Sequence, residues 1–159
     1  MADVLVYMKD HNTLYAGNSL ISNGTIGQKL LSSGELNKDI FTGIGTSSPD
    51  WMNAMMQDDG NFVVYFAEGH ARTGRPEGHP KWASGTNGRG TGPYKITLYS
   101  NGNLILTDKN GTELWRAPLS RSVTKEPCRL VMQDDGNLVI YDAKDVPLWA
   151  SGTDGQTHV

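Results

Sequence analysis

The chain has 159 residues, 19 of them glycine, with 37% apolar residues and a net charge of −3 spread over interspersed acids and bases. That length predicts a single domain over residues 1–159, and glycine scattered between short apolar runs predicts an all-β chain rich in turns. No basic stripe suits nucleic acid, no apolar run approaches the ~18 residues of a membrane span, and the lone Cys128 excludes an intrachain disulfide and a cysteine metal cluster.

In chain order, residues 1–5 lack a basic stretch followed by an apolar one, so no signal peptide is read there. With a free thiol, the expectation is a cytoplasmic protein, or one secreted by a route without a signal peptide. Without secretion, the sequons at Asn23 and Asn110 are chance matches. Residues 30–36 have a weak helical pattern that Ser32-Ser33-Gly34 contradicts, so no helix is expected. Residues 38–50 read as an insertion, and Trp51 fits no pattern.

Residues 55–57 then read as a strand, Asp58-Asp59-Gly60 as a hairpin turn, and Asn61-Phe62-Val63-Val64-Tyr65 as the partner strand. Residues 68–80, a run of Gly, His, Arg and Pro, read as a loop. Trp82-Ala83-Ser84-Gly85-Thr86 follows. Residues 95–99 form the next strand, with a turn at Gly102 and a partner running to Thr107, then Leu114-Trp115-Arg116-Ala117. Arg121, Lys125 and Arg129 read as a solvated loop. Residues 130–133, the turn Asp134-Asp135-Gly136 and Asn137-Leu138-Val139-Ile140-Tyr141 form the last hairpin, followed by Trp149-Ala150-Ser151-Gly152-Thr153.

These segments are three copies of one unit. MQDDGNFVVY at 56–65 and MQDDGNLVIY at 132–141 agree at eight of ten positions, and each is followed by WASGT. The middle copy, YSNGNLILT at 99–107, keeps the turn glycine and Asn103 but replaces Gln, Asp and Tyr with Tyr99, Asn101 and Thr107. Its Trp115 stands 8 residues after Thr107, as Trp149 stands 8 after Tyr141; Trp82 stands 17 after Tyr65, which dates the insertion to the first copy. Three hairpin units with one Trp each predict a pseudo-threefold β structure with the tryptophans meeting near the axis. Their role is read as structural, with sugar stacking the lesser reading.

Gln57, Asp59, Asn61, Val63 and Tyr65 alternate along the chain, as do Gln133, Asp135, Asn137, Val139 and Tyr141, so period-two geometry gives each set a shared face. One carboxylate, two amides, a phenol and a branched apolar group suit a neutral polyol. None is a nucleophile poised for attack, so no enzyme is expected. A turn needs glycine and small polar residues, but it does not need Gln and Tyr at fixed offsets, and the middle copy folds without them.

Other chemistries fail. His11, His70, His79 and His158 show no ligand spacing, so no metal or cofactor is expected. Asp58/Asp59 and Asp134/Asp135 are turn neighbours that point apart, unlike catalytic acids flanking one bond. A calcium loop with Gly60 at its sixth position would need ligands at Met55 and Phe66.

The duplicated Gln-x-Asp-x-Asn-x-Val-x-Tyr, each followed by Trp-Ala-Ser, strongly resembles the bulb-type (monocot mannose-binding, snowdrop-agglutinin-like) lectins. Residues 12–20 resemble that family's N-terminal strand, and the similarity spans about residues 13–155. The resemblance implies the β-prism II fold and one shallow α-mannose site per intact repeat. Asp59 and Asn61 would hold the axial O2, Gln57 the O3 and Tyr65 the O4, with Val63 against the ring; Asp135, Asn137, Gln133, Tyr141 and Val139 would repeat this. The expected partners are mannose-containing glycans or glycoproteins, with no nucleic acid and no membrane insertion. The resemblance also implies a homodimer formed by exchanging C-terminal strands. An alternative is an intracellular scaffold or cross-linker of the same fold, its insertions carrying a protein contact. The chain departs from the family in its degenerate middle site, its missing disulfide and its long insertions at 38–50 and 68–80.

Overall fold

The computed structural model describes residues 12–22, 29–31, 51–67 and 79–154. Every regular element among them is a strand: β1 (Thr13–Tyr15), β2 (Ser19–Ile21), β3 (Lys29–Leu31), β4 (Trp51–Met56), β5 (Phe62–Ala67), β6 (His79–Ala83), β7 (Lys95–Leu98), β8 (Leu104–Thr107), β9 (Glu113–Arg116), β10 (Arg129–Met132), β11 (Leu138–Tyr141) and β12 (Pro147–Ala150). They form three antiparallel four-stranded sheets. Sheet I runs β3-β4-β5-β6, sheet II β2-β7-β8-β9, and sheet III β1-β10-β11-β12. The predicted all-β, pseudo-threefold arrangement of three antiparallel units is the one observed.

Alternation explains why these short runs become strands. Each repeat turns the even-numbered residues of its hairpin inward, and equivalent positions meet in one core. Met56, Leu98 and Met132 correspond, as do Phe62, Leu104 and Leu138, and Val64, Leu106 and Ile140; all nine are buried in a single cluster. The three tryptophans pack against it edge to face, with ring centroids 5.4 Å apart for Trp82–Trp115 and for Trp82–Trp149, and 5.9 Å for Trp115–Trp149. They close the pseudo-threefold axis, the structural role expected of them.

The fourth strand of each sheet comes from the N-terminal segment. Residues 12–20, read from sequence as one strand, are two. Gly17 takes φ +92 between them, a conformation that suits glycine. β1 then pairs with β10, β2 with β7 and β3 with β4. Each contributes one core leucine, Leu14, Leu20 or Leu30. Consecutive strands therefore lace three different sheets together.

One turn geometry recurs five times among the described residues. The N–H of the first residue bonds the carbonyl four residues on, and the N–H of the fourth returns to the first carbonyl. These turns begin at Gln57, Tyr99, Asp108, Gln133 and Asp142. The fourth position is Gly60, Gly102, Gly111 and Gly136 with φ from +82 to +96, but Asp145, at φ +63, in the fifth. Asp108 and Asp142 anchor their turns. At Asp108 the Thr112 N–H stabilises the charge most, burial opposes it, and the Asn110 and Thr91 N–H groups add, so the carboxyl lies below its ordinary range. At Asp142 burial works against the charge. The Thr124 hydroxyl and the N–H groups of Val146, Thr124 and Lys144 outweigh it and hold the carboxyl far below its ordinary range.

Sheet I departs from the other two. Phe66 replaces the turn aspartate, so β4 and β5 run six residues each where β7, β8, β10 and β11 run four. Trp51, unplaced in the sequence, begins β4. The insertion at 38–50 lies outside the described residues, as does that at 68–80 up to His79 and Pro80, which open β6. β12 pairs with β11 of its own chain, completing sheet III internally.

Candidate functional site

The motif residues of the first and third repeats come together on the outer faces of sheets I and III. In the first site, Gln57 opens the turn and Asn61 ends it; the Asn61 N–H donates to Asp59 Oδ1 at 2.9 Å. Val63 and Tyr65 follow on β5, outside the core cluster. Gln57 Nε2 donates to the Tyr65 hydroxyl across the face. Asp59 is exposed, Gln57, Asn61 and Tyr65 are half-buried, and Val63 is covered as a floor.

The third site repeats each contact. The Asn137 N–H donates to Asp135 Oδ1 at 2.9 Å, Gln133 Nε2 donates to the Tyr141 hydroxyl, and Val139 forms the floor. All ten residues singled out in the sequence therefore fall into two like constellations. In all three sheets the ladder shifts register at the residue ending the motif, after Val64, Leu106 or Ile140, because the third strand carries an extra residue there, Lys81, Leu114 or Leu148.

The structure adds a role that alternation could not show. Asn61 Oδ1 accepts from Ser84 Oγ at 3.1 Å, the Gly85 N–H at 3.0 Å and the Thr86 N–H at 3.2 Å. Ser84 Oγ also accepts the Phe62 N–H at 3.0 Å, and the Thr86 hydroxyl donates to the Gly60 carbonyl at 2.6 Å. The motif asparagine thus clamps the loop after Trp82, and Ser-Gly-Thr is the sequence that can be clamped. Asn137 Oδ1 does the same for Ser151, Gly152 and Thr153, at 3.3, 3.0 and 3.2 Å.

These bonds settle which atoms face outward. With Asn Oδ1 committed, its Nδ2 is left to donate. One Asp oxygen takes the turn N–H and the other accepts. Gln donates to Tyr, so Gln Oε1 accepts and the Tyr O–H donates. Each site offers acceptors from Asp and Gln, donors from Asn and Tyr, and a valine floor. That set matches hydroxyls, which both donate and accept. It holds no nucleophile–base pair, and no group of three metal-ligating side chains occurs among the described residues.

The middle repeat keeps the turn, with the Asn103 N–H donating to Asn101 Oδ1 at 3.1 Å. Its loop reads Ala117-Pro118-Leu119, which lacks both hydroxyls and one N–H. Tyr99 is 46% exposed where the other sites have a half-buried glutamine.

A monocot mannose-binding lectin from Gastrodia elata superposes with a TM-score of 0.61 at 28% identity, over 90% of this chain and 98% of the other. The Polygonatum cyrtonema lectin, solved with a monomannoside, gives 0.55 at 28% identity over 89% and 96%. The chain has the bulb-type lectin fold. The snowdrop (Galanthus nivalis) mannose-specific agglutinin adds to the likeness of fold, with a TM-score of 0.56 at 22% identity over 89% of this chain and 96% of the other. No family model matches the chain, and no curated protein sequence does.

Within this bulb-type fold, one residue escaped the sequence reading. Arg129 is not in a solvated loop but opens β10, opposite Tyr141. Its guanidinium lies 5.0 Å from the Tyr141 ring centroid and bonds Asp145 Oδ1 at 2.7 Å and the Asp142 carbonyl at 3.2 Å. The equivalent residue opposite Tyr65 is Asn53, fully buried, whose carboxamide has no hydrogen-bond partner among the described residues. The two sites therefore share their centres and differ beside the tyrosine.

Proposed function

We propose that the chain is a lectin that binds α-mannose residues of glycans at two sites. The observation that carries this reading is the duplicated row of acceptors and donors, Asp–Asn–Gln–Tyr over a valine, built twice with the same internal bonds. Supporting it are the resemblance of the motif and the similarity to lectins described as mannose-binding. On this reading the Asp59 oxygen and Asn61 Nδ2 hold the axial O2, Gln57 Oε1 holds O3, the Tyr65 hydroxyl holds O4 and Val63 meets the ring. Asp135, Asn137, Gln133, Tyr141 and Val139 act likewise. Glucose, with an equatorial O2, loses the Asp/Asn contacts.

A shallow site on a sheet face buries little of a monosaccharide, so each site binds weakly, on the order of millimolar. Two sites on different faces gain through avidity on clustered glycans, by about 10²–10⁴. Calorimetric titration with methyl α-D-mannoside tests the proposal. Two sites per chain are expected, with glucoside weaker, and Asp59→Ala/Asp135→Ala abolishes binding. Unchanged binding in that double variant overturns the assignment.

A further inference from the structure

We propose that Arg129, held in place by Asp145, is a positioning residue for Tyr141, and that it makes the third-repeat site the tighter of the two. This rests on the mannose reading of both sites, which it deepens.

In each site the turn and the following loop fix the aspartate and the asparagine, at Asp59 and Asn61 as at Asp135 and Asn137. The tyrosine is fixed differently. It ends the motif at the register shift, half-buried, and a glutamine holds its hydroxyl. A contact at the hydroxyl fixes the tip of the side chain and leaves the plane of the ring free to turn.

Sheet III fixes the ring as well. Arg129 is the cross-strand partner of Tyr141, and its guanidinium lies over that ring, 5.0 Å from the centroid. A cation is attracted to the face of an aromatic ring, so the ring plane is held against it. Arg129 is held in turn at two points. Nη2 donates to Asp145 Oδ1 at 2.7 Å and Nη1 to the Asp142 carbonyl at 3.2 Å.

Asp145 carries the functional argument. It takes φ +63 at a turn position that four other turns give to glycine. Aspartate tolerates that backbone better than most residues, yet glycine adopts it at less cost. Fold stability does not account for the choice. The side chains of Arg129 and Asp145 are 32% and 75% exposed, and an ion pair so exposed contributes little. What the aspartate supplies is aim, a guanidinium kept over Tyr141.

Sheet I is built otherwise beside its tyrosine. Asn53 stands opposite Tyr65. Where sheet III turns at Asp142, β5 runs on through Phe66 and Ala67. Lys81 places its ammonium over Phe66, 5.9 Å from the centroid, and not over the site tyrosine. Ordering a side chain on binding costs affinity. Tyr65 is ordered when the ligand arrives, whereas Tyr141 is ordered beforehand.

NMR of the full chain reads the two sites separately, through the methyl signals of Val63 and Val139 on the two floors. With methyl α-D-mannoside, Val139 is expected to report an affinity about two- to tenfold tighter than Val63, the cost of ordering one side chain. Arg129→Met keeps an apolar stem and removes the charge. Asp145→Gly releases the guanidinium on a backbone that suits glycine, so its melting temperature stays level or rises. Each variant brings the Val139 affinity down to that of Val63 and leaves Val63 unchanged, and Arg129→Lys, which keeps a cation, restores part of the gap. On the mannose reading the tyrosine holds O4, so the 4-deoxy analogue separates aim from structure. Its affinity at Val139 is expected to be the same in the parent and in Arg129→Met. Equal affinities at the two valines in the parent overturn the proposal, as does a gap that survives both Arg129→Met and Asp145→Gly. A loss in Arg129→Met that is as large for the 4-deoxy analogue makes Arg129 a structural residue and overturns it too. If neither valine responds to the mannoside, the mannose reading itself fails, and the positioning role with it.

Discussion

Sheets I and II carry the same hairpin, the same turn glycine, the same register shift and the same inward tryptophan, yet of the two only sheet I assembles the Gln–Asp–Asn–Tyr constellation. The difference lies in two places at once. Sheet II has lost Gln, Asp and Tyr from the motif, and it has also lost the Ser-Gly-Thr loop that the motif asparagine holds. Asn103 survives in the turn, but Ala117, Pro118 and Leu119 cannot give Oδ1 what Ser84, Gly85 and Thr86 give Asn61. The comparison teaches that motif and following loop are one device. The loop fixes the asparagine so that its Nδ2 points outward, and the asparagine fixes the loop so that the strand pair closes.

The comparison breaks most directly at that asparagine. Asn61→Ala leaves the buried Thr86 segment without its acceptor and is expected to cost about 1–3 kcal/mol, whereas Asn103→Ala costs less than about 1 kcal/mol. Urea denaturation of the two variants measures the gap, and equal losses would show that the loop does not depend on the clamp. Rebuilding sheet II is the converse. Tyr99→Gln, Asn101→Asp and Thr107→Tyr with Ala117→Ser, Pro118→Gly and Leu119→Thr should raise the mannoside stoichiometry from two to three. The motif changes without the loop changes should leave it at two. Leu119 packs against the core, so the full graft is expected to melt lower than the parent.

A smaller effect separates the tyrosines from the clamp. Tyr65→Phe and Tyr141→Phe remove a hydroxyl that accepts from glutamine and faces outward. Each is expected to weaken its site by about 1 kcal/mol, roughly fivefold, with unfolding unchanged. A stability loss as large as that of Asn61→Ala would make the tyrosine a structural residue.

The smallest difference is set by acid. Asp108 and Asp142 anchor turns in sheets II and III, where sheet I has Phe66. Both have folded-state values lowered below the ordinary 3.8. Their stabilisation is therefore complete above that pH and is lost as pH falls toward the lowered values. Asp108→Asn/Asp142→Asn should flatten the fall in melting temperature below about pH 4. A slope unchanged from the parent would assign acid sensitivity elsewhere.

The hairpins were legible because glycine turns and alternating apolar residues act locally, within ten residues of one another. The ten candidate residues could be singled out for a different reason, since duplication set them against a copy that keeps only the asparagine. β2 and β3 were not legible. Three-residue strands are too short to show a period, and their partners lie 78 residues away in the case of Ser19 and Thr97. The asparagine clamp was equally hidden, because it joins residues 61 and 84–86 across a strand whose approach is tertiary. Its trace was present in the change from Ser-Gly-Thr to Ala-Pro-Leu, which accompanies the loss of Gln, Asp and Tyr. Arg129 was misplaced because the residues before it, Lys125-Glu126-Pro127-Cys128, have the composition of a loop.

The lacing of β1, β2 and β3 into three separate sheets has a consequence for synthesis. Thr13 pairs with Val131, so β1 finds its neighbour only after more than a hundred further residues have emerged from the ribosome. Until then sheet III does not exist, because β10 through β12 emerge after the hairpins of the other two sheets. Such pairing at long sequence separation makes for slow folding and leaves strand edges open while translation continues. The order of emergence and the order of assembly therefore run in opposite directions for this segment, and sheet III is sealed by a strand made long before the rest of it.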